Sequence, residues 1–141
     1  MWNELLNQID INGLMNTFGG FHDSCIKELK YISGAFVGLD LCMNPINYAR
    51  TVKVIFQRQC KNPMVIEIEF TGLLNLALTP VDESITCELE GASMFISDGK
   101  IYWYDSDSVE SSIEGHNGTW ICANSVRWRV ADEYIGNKEI Y

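Results

Sequence analysis

A chain of 141 residues with 47% hydrophobic and 21% charged residues has the make-up of one folded domain, large enough to bury a core without staples, and not of a disordered segment. No apolar run reaches the roughly 20 residues needed to span a bilayer. The formal charge of −9 disfavours nucleic acid, whose binders neutralise phosphates with Lys and Arg.

The charge is unevenly spread. Between Asp82 and Glu114 nine acids face one base, Lys100, so this segment carries −8 and the remainder is nearly neutral. Such a field steers a basic partner towards the chain, although a solvated acidic face would look the same. Residues Met1 to Gln8 lack a basic n-region and include Glu4, which predicts no secretory signal and a cytoplasmic location. Cys25, Cys42, Cys60, Cys87 and Cys122 are odd in number and contain no C-x-x-C pair, which predicts free thiols in a reducing compartment.

In chain order, Asn3 to Phe18 is the one helical region, with a loose apolar stripe of Leu5, Leu6, Ile9, Leu14 and Phe18. Gly13 weakens its middle by roughly 1 kcal/mol relative to Ala, so two short helices would also fit. Gly19-Gly20 ends it. Cys25 to Ile32 reads as a strand with a bulge, and Ala35 to Met43 as another, with Val37, Leu39, Leu41 and Met43 on one face.

Arg50 to Gln59 and Met64 to Phe70 alternate and flank Asn62-Pro63, which predicts a hairpin. Leu73 to Leu78 is a short strand or a helical turn, stopped by Pro80. Ile85 to Glu90 alternates cleanly, with Ile85, Cys87 and Leu89 inward. Ser93 to Tyr104 is the strongest local signal: two β-favouring runs around Asp98-Gly99, a pair suited to a turn with two positive φ angles. A polar loop from Asp105 to Gly118 precedes a long strand from Trp120 to Val130, and Asp132 to Tyr141 has no strong pattern. Together these predict a mainly β, α+β domain: residues 1–20 helical and packed on the sheet, and 21–131 about eight antiparallel strands in a sandwich or rolled sheet. No boundary within 1–141 suggests a second domain.

Few constellations carry chemistry. His22-Asp-Ser-Cys25 sets a base beside two nucleophiles, but neighbours along an extended chain point to opposite sides, and such pairs usually come from distant positions. The alternatives are a small thiol or hydrolytic enzyme using His22 and Cys25, or a turn leading into a strand. Asp105-Ser-Asp-Ser-Val-Glu110 departs from the EF-hand pattern at Val109, Glu110 and His116, so no metal and no cofactor is expected. The aromatic arm Tyr102-Trp-Tyr104 runs into that acidic loop. One set of its side chains should be core and the other a partner-facing surface, rimmed by Asp105, Asp107, Glu110 and Glu114.

The order Phe21-His-Asp-Ser24, two strands, Val65-Ile-Glu-Ile-Glu-Phe70, Trp103 and then Ser125-Val-Arg-Trp128 resembles the small, mainly β proteins predicted to be immunity proteins of bacterial polymorphic-toxin systems. The resemblance implies a non-enzymatic protein that binds and neutralises a cognate toxin, and the charge map adds that this partner would be basic. A structural or oligomer-forming domain, meeting its partner through an exposed strand edge, is the remaining alternative, and the oligomeric state is left open.

Overall fold

The computed structural model describes residues 1–112 and 115–141. It is a mainly β architecture: a seven-stranded antiparallel sheet, a small second sheet and one helix near the N-terminus. The elements are β1 (Asn3–Glu4), α1 (Gln8–Thr17), β2 (Ser24–Ile32), β3 (Phe36–Val37), β4 (Met43–Asn44), β5 (Thr51–Arg58), β6 (Val65–Ala77), β7 (Ser93–Ser97), β8 (Lys100–Tyr104) and β9 (Trp120–Val130). Strand order in the large sheet is β2-β5-β6-β9-β8-β7. The outer edge of β9 is shared, β8 pairing with its first half and β1 with its second.

The sheet has two unlike faces. Ile66, Ile68 and Phe70 of β6 join Val52, Val54 and Phe56 of β5 on the face covered by Ile11, Leu14 and Phe18 from the helical segment. Alternation sends Glu67 and Glu69 to the opposite face, as the period of two requires. The helix is shorter than the sequence suggests. The Asn7 side chain accepts from the Asp10 amide and Asp10 from the Leu6 amide, which fixes the start at Gln8 and leaves β1 extended on β9. The register of the stripe shifts accordingly: Leu6 and Ile9 are exposed, and Ile11 takes the core position. The helix runs unbroken through Gly13 and ends at Gly19-Gly20, both in the left-handed region.

Several strand boundaries match expectation. β2 carries its bulge between Ile26 and Glu28, and Asp98 and Gly99 both take positive φ in the β7–β8 turn. Three regions differ. Ala35 to Met43 is not one strand but a small hairpin, because Asp40 accepts from the Cys42 amide and turns the chain at its centre. Leu73 to Ala77 continues β6 beyond Gly72, whose φ is 61°, with the register shifting between Leu73 and Asn75. Ile85 to Glu90 has the alternation of a strand but only a single bridge, Ser24 to Leu89, so a ladder never forms. The C-terminal tail is tied down despite its lack of pattern. Glu28 accepts from the Ile140 and Tyr141 amides, and the Gln57 side chain donates to the Tyr134 and Gly136 carbonyls.

Contacts at the Ser24 end bring the first and last strands of the sheet together. Leu89 N–H donates to the Ser24 carbonyl at 2.7 Å and Ala92 N–H to the Gly20 carbonyl at 2.9 Å. These bonds roll the sheet, and they hang residues 78–92 as an irregular strap beside the exit of β8.

Candidate functional site

Alternation along β8 divides the aromatic arm. Trp103 enters the core, with its ring 5.3 Å from Phe56 and 5.8 Å from Phe21, and its buried indole Nε1 has no acceptor among the described residues. Tyr102 and Tyr104 point to the other face and stack with Phe95 and Trp120. Val109 closes over this stack, and His116 sets its ring edgewise on Tyr104 at 5.3 Å. Trp103 and Tyr104 are therefore wholly buried, which corrects their expected place on a partner-facing surface. Tyr102 is half-buried, and desolvation, reinforced by the neighbouring Cys122, raises its phenol pKa.

The first acid of the loop is a structural pin. Asp105 Oδ2 accepts from the Thr119 amide at 2.9 Å, Oδ1 meets His116 Nε2 at 2.7 Å, and the Asp105 amide donates to the Thr119 carbonyl. Gly118 makes room for this: a Cβ there would lie 2.2 Å from Asp105 Oδ1. Thr119 in turn accepts from the Thr79 amide through Oγ1, joining the loop to the start of the strap. Asp107 packs against the far end of the strap, where a Cβ on Gly91 would meet its own Cβ at 2.9 Å.

Between strap and loop lies a cleft of about 600 Å³. Its carboxylates are Glu88 and Glu90 from the strap and Asp105 and Asp107 from the loop, and among the described residues no Lys, Arg or His lines it. Leu78, Pro80, Val81, Ile85 and Leu89 make the rest largely apolar. Among the described residues, Glu88, Glu90, Asp107 and Glu110 form no ion pair, and Asp107 and Glu110 are exposed. At the rim, the Ser84 hydroxyl and amide hold the Asp82 carboxyl below its usual range, so it stays charged into mild acid. The expected site thus divides: Asp107 and Glu110 are free surface acids, Asp105 is an internal tie, and Glu114 lies outside the described residues. Glu88 and Glu90 complete the cleft. Their charge was legible, but the strand pattern of Ile85 to Glu90 hid their position.

The His22–Cys25 constellation does not assemble. His22 is exposed and pairs with Asp23 at 3.1 Å, while the Ser24 hydroxyl donates to the Phe21 carbonyl. Cys25 lines a separate cavity of about 410 Å³ with Cys87 and Glu88, and His22 is not on its wall. Burial pushes the Cys25 thiol up, with Cys87 and Glu88 adding to the effect, the opposite of what activates a nucleophile. All five cysteines are free thiols. Among the described residues no group of three His, Cys, Asp or Glu side chains could hold a metal, and no helix is long and apolar enough to cross a membrane.

No protein-family model matches the chain, and neither a curated protein nor a solved structure matches it.

Proposed function

We propose that the chain is a non-enzymatic binding domain whose acidic cleft receives a basic segment of a protein partner, in the manner of an immunity protein neutralising a toxin. The carrying observation is the cleft itself: Glu88, Glu90 and Asp107, unpaired among the described residues, around an apolar floor, with Asp105 tied to His116 and Thr119 behind them. Lys and Arg suit such walls, because their heads pair with carboxylates while their aliphatic stems lie along apolar surface. On the sheet, Glu67 and Glu69 are matched by Arg129, Arg127 and Lys53, whereas Glu88, Glu90 and Asp107 form no ion pair among the described residues and are the set that electrostatic attraction acts on from outside. Five free thiols suit a reducing compartment, and we place the chain in the cytoplasm on that ground. The raised Cys25 thiol supports the binding reading over a thiol enzyme.

Capture of the product of the adjacent gene tests this. The Glu88→Gln, Glu90→Gln, Asp107→Asn, Glu110→Gln variant should lose about tenfold or more in affinity, or about 1.4 kcal/mol. Unchanged capture by the variant would remove the cleft as the binding site.

A further inference from the structure

The connection between β2 and β5 projects an apolar arm, residues 33–50, that none of the hydrophobic clusters takes up. Phe36, Leu39, Leu41, Met43, Ile46 and Tyr48 are each more than half exposed, Leu39 fully. The arm is built, not frayed. Ala49 and Arg50 amides donate to the Ser33 carbonyl at its base, β3 pairs with β4, and Gly38 N–H donates to the Cys42 carbonyl at 2.9 Å. Gly34 at φ +93° and Gly38 in the tip turn both sit where a Cβ would come within 3.0 Å of a neighbouring atom. A chain that spends two glycines and a small sheet on this projection holds its apolar side chains in a fixed arrangement.

We infer that the arm is the contact surface of a homodimer, formed by packing against the arm of a second copy about a two-fold axis. Area comes first. At up to ~150–250 Å² for a large side chain and exposures of 57% to 106%, the six residues expose at most roughly 700–1,100 Å², beyond the ~300–600 Å² of the largest patch on a typical monomer and comparable with the ~800 Å² that each partner gives to a stable interface.

Composition then favours a second copy over a foreign protein. From Tyr31 to Ala49 the single charged residue is Asp40, and its carboxylate is occupied by the Cys42 amide at 3.0 Å. Such a surface has no charge pattern with which to select a different partner. It is apolar in the way of homodimer cores, and a second copy presents the same face by symmetry.

Electrostatics permits the pairing, although each chain carries −9. The acidic strap meets β2 at Ser24, and the arm leaves β2 beyond Ile32. The eight steps from Ser24 to Ile32 at ~3.3 Å each separate these ends by roughly 26 Å, about three Debye lengths at physiological salt. Arm-to-arm contact therefore keeps clear of Glu88 and Glu90, and the inference stands independently of the function proposed for the cleft.

Sedimentation of the full chain at micromolar concentration tests it. The expected mass is twice 16.0 kDa, falling to 16.0 kDa in the Leu39→Asp, Leu41→Asp variant. Circular dichroism should be unchanged, because both side chains are already in solvent. Should that variant misfold, Ile46→Asp with Tyr48→Ser replaces it and the same fall is expected. Neutralising Glu88, Glu90, Asp107 and Glu110 should leave the dimer intact. A 16.0 kDa species in the unaltered chain, a dimer that survives both arm variants, or a monomer that pellets with phospholipid vesicles through the arm would each overturn the inference.

Discussion

Two groups of carboxylates make opposite use of the same chemistry. On the outer face of the sheet, Glu67 and Glu69 are 4% and 6% exposed, and each is answered within the chain: Arg129 Nε lies 2.8 Å from Glu67, and Arg127 lies 2.8 Å from Glu69 with Lys53 at 3.5 Å. Trp2 covers the two guanidinium groups, at 4.5 Å from Arg127 and 5.4 Å from Arg129. In the cleft, Glu88, Glu90 and Asp107 have no cation beside them. Burial explains the difference. A buried carboxylate without a partner costs several kcal/mol, so the sheet cannot hold one unanswered, whereas a solvated carboxylate costs little and can be left for an external cation.

This contrast can be broken from either side. The largest effect belongs to the ladder: Arg129→Ala leaves Glu67 without its cation, with only the Tyr141 hydroxyl as donor, and should cost about 3 kcal/mol in urea unfolding. A loss below about 1 kcal/mol would mean that the pair is only a surface salt bridge. Next comes the tie between the two regions. Gly118→Ala drives a Cβ into the Asp105 carboxylate and should cost about 1–3 kcal/mol, while Asp107→Asn beside it costs almost nothing. Smallest is the cleft itself. The fourfold Gln and Asn variant should leave unfolding stability within about 0.5 kcal/mol per site, or raise it slightly by removing mutual repulsion. A large loss there would show that the cleft acids are structural after all.

The C-terminal tail gives the contrast a pH signature at both ends. The Lys27 side chain, then the Tyr141 and Ile140 amides, lower the Glu28 pKa in the folded state. That stabilisation is present above the usual carboxylate pKa and is lost as pH falls through the depressed value, so the protection of the Ile140 and Tyr141 amides, taken relative to the intrinsic exchange rate at each pH, should fall in acid. Burial first, and then the hydrogen bond to Glu67, push the Tyr141 phenol far above its usual value. This contribution is complete below the unfolded phenol pKa near ~10 and is lost as pH rises beyond it, because the unfolded chain ionises first. Tyr141→Phe should reduce the alkaline loss, leaving the part that the raised Tyr102 phenol and Cys25 thiol contribute. For the thiols, Cys25 should alkylate more slowly at neutral pH than exposed Cys42, and a faster rate would revive the nucleophile.

What was legible in the sequence follows the same division. Wherever one face of a strand is buried, alternation speaks: β5, β8, the first half of β6 from Ile66 to Phe70 and the second half of β9 at Val126 and Trp128 carry their inward residues at every second position, and Asp98-Gly99 marks its turn through backbone conformation alone. The strap and the arm mislead for one reason. Ile85, Cys87 and Leu89, like Val37, Leu39 and Leu41, alternate as well as any core strand, but alternation does not say whether a partner strand is at hand. The order of strands in the sheet decides that, and it is a long-range property. The aromatic arm shows the remaining limit. Period two separates Trp103 from Tyr102 and Tyr104, but the return of Val109 and His116 over the second face, which buries Tyr104, has no local signature.

The central claim is that the unanswered carboxylates of the cleft are the binding determinant. Affinity for the product of the adjacent gene, measured by calorimetry from low to high salt, tests it most directly. Binding to the unaltered chain should weaken steeply with salt. The Glu88→Gln, Glu90→Gln, Asp107→Asn, Glu110→Gln variant should bind about tenfold more weakly at low salt, with a flattened salt dependence. Equal affinity and an equal salt slope in the two proteins would contradict the account.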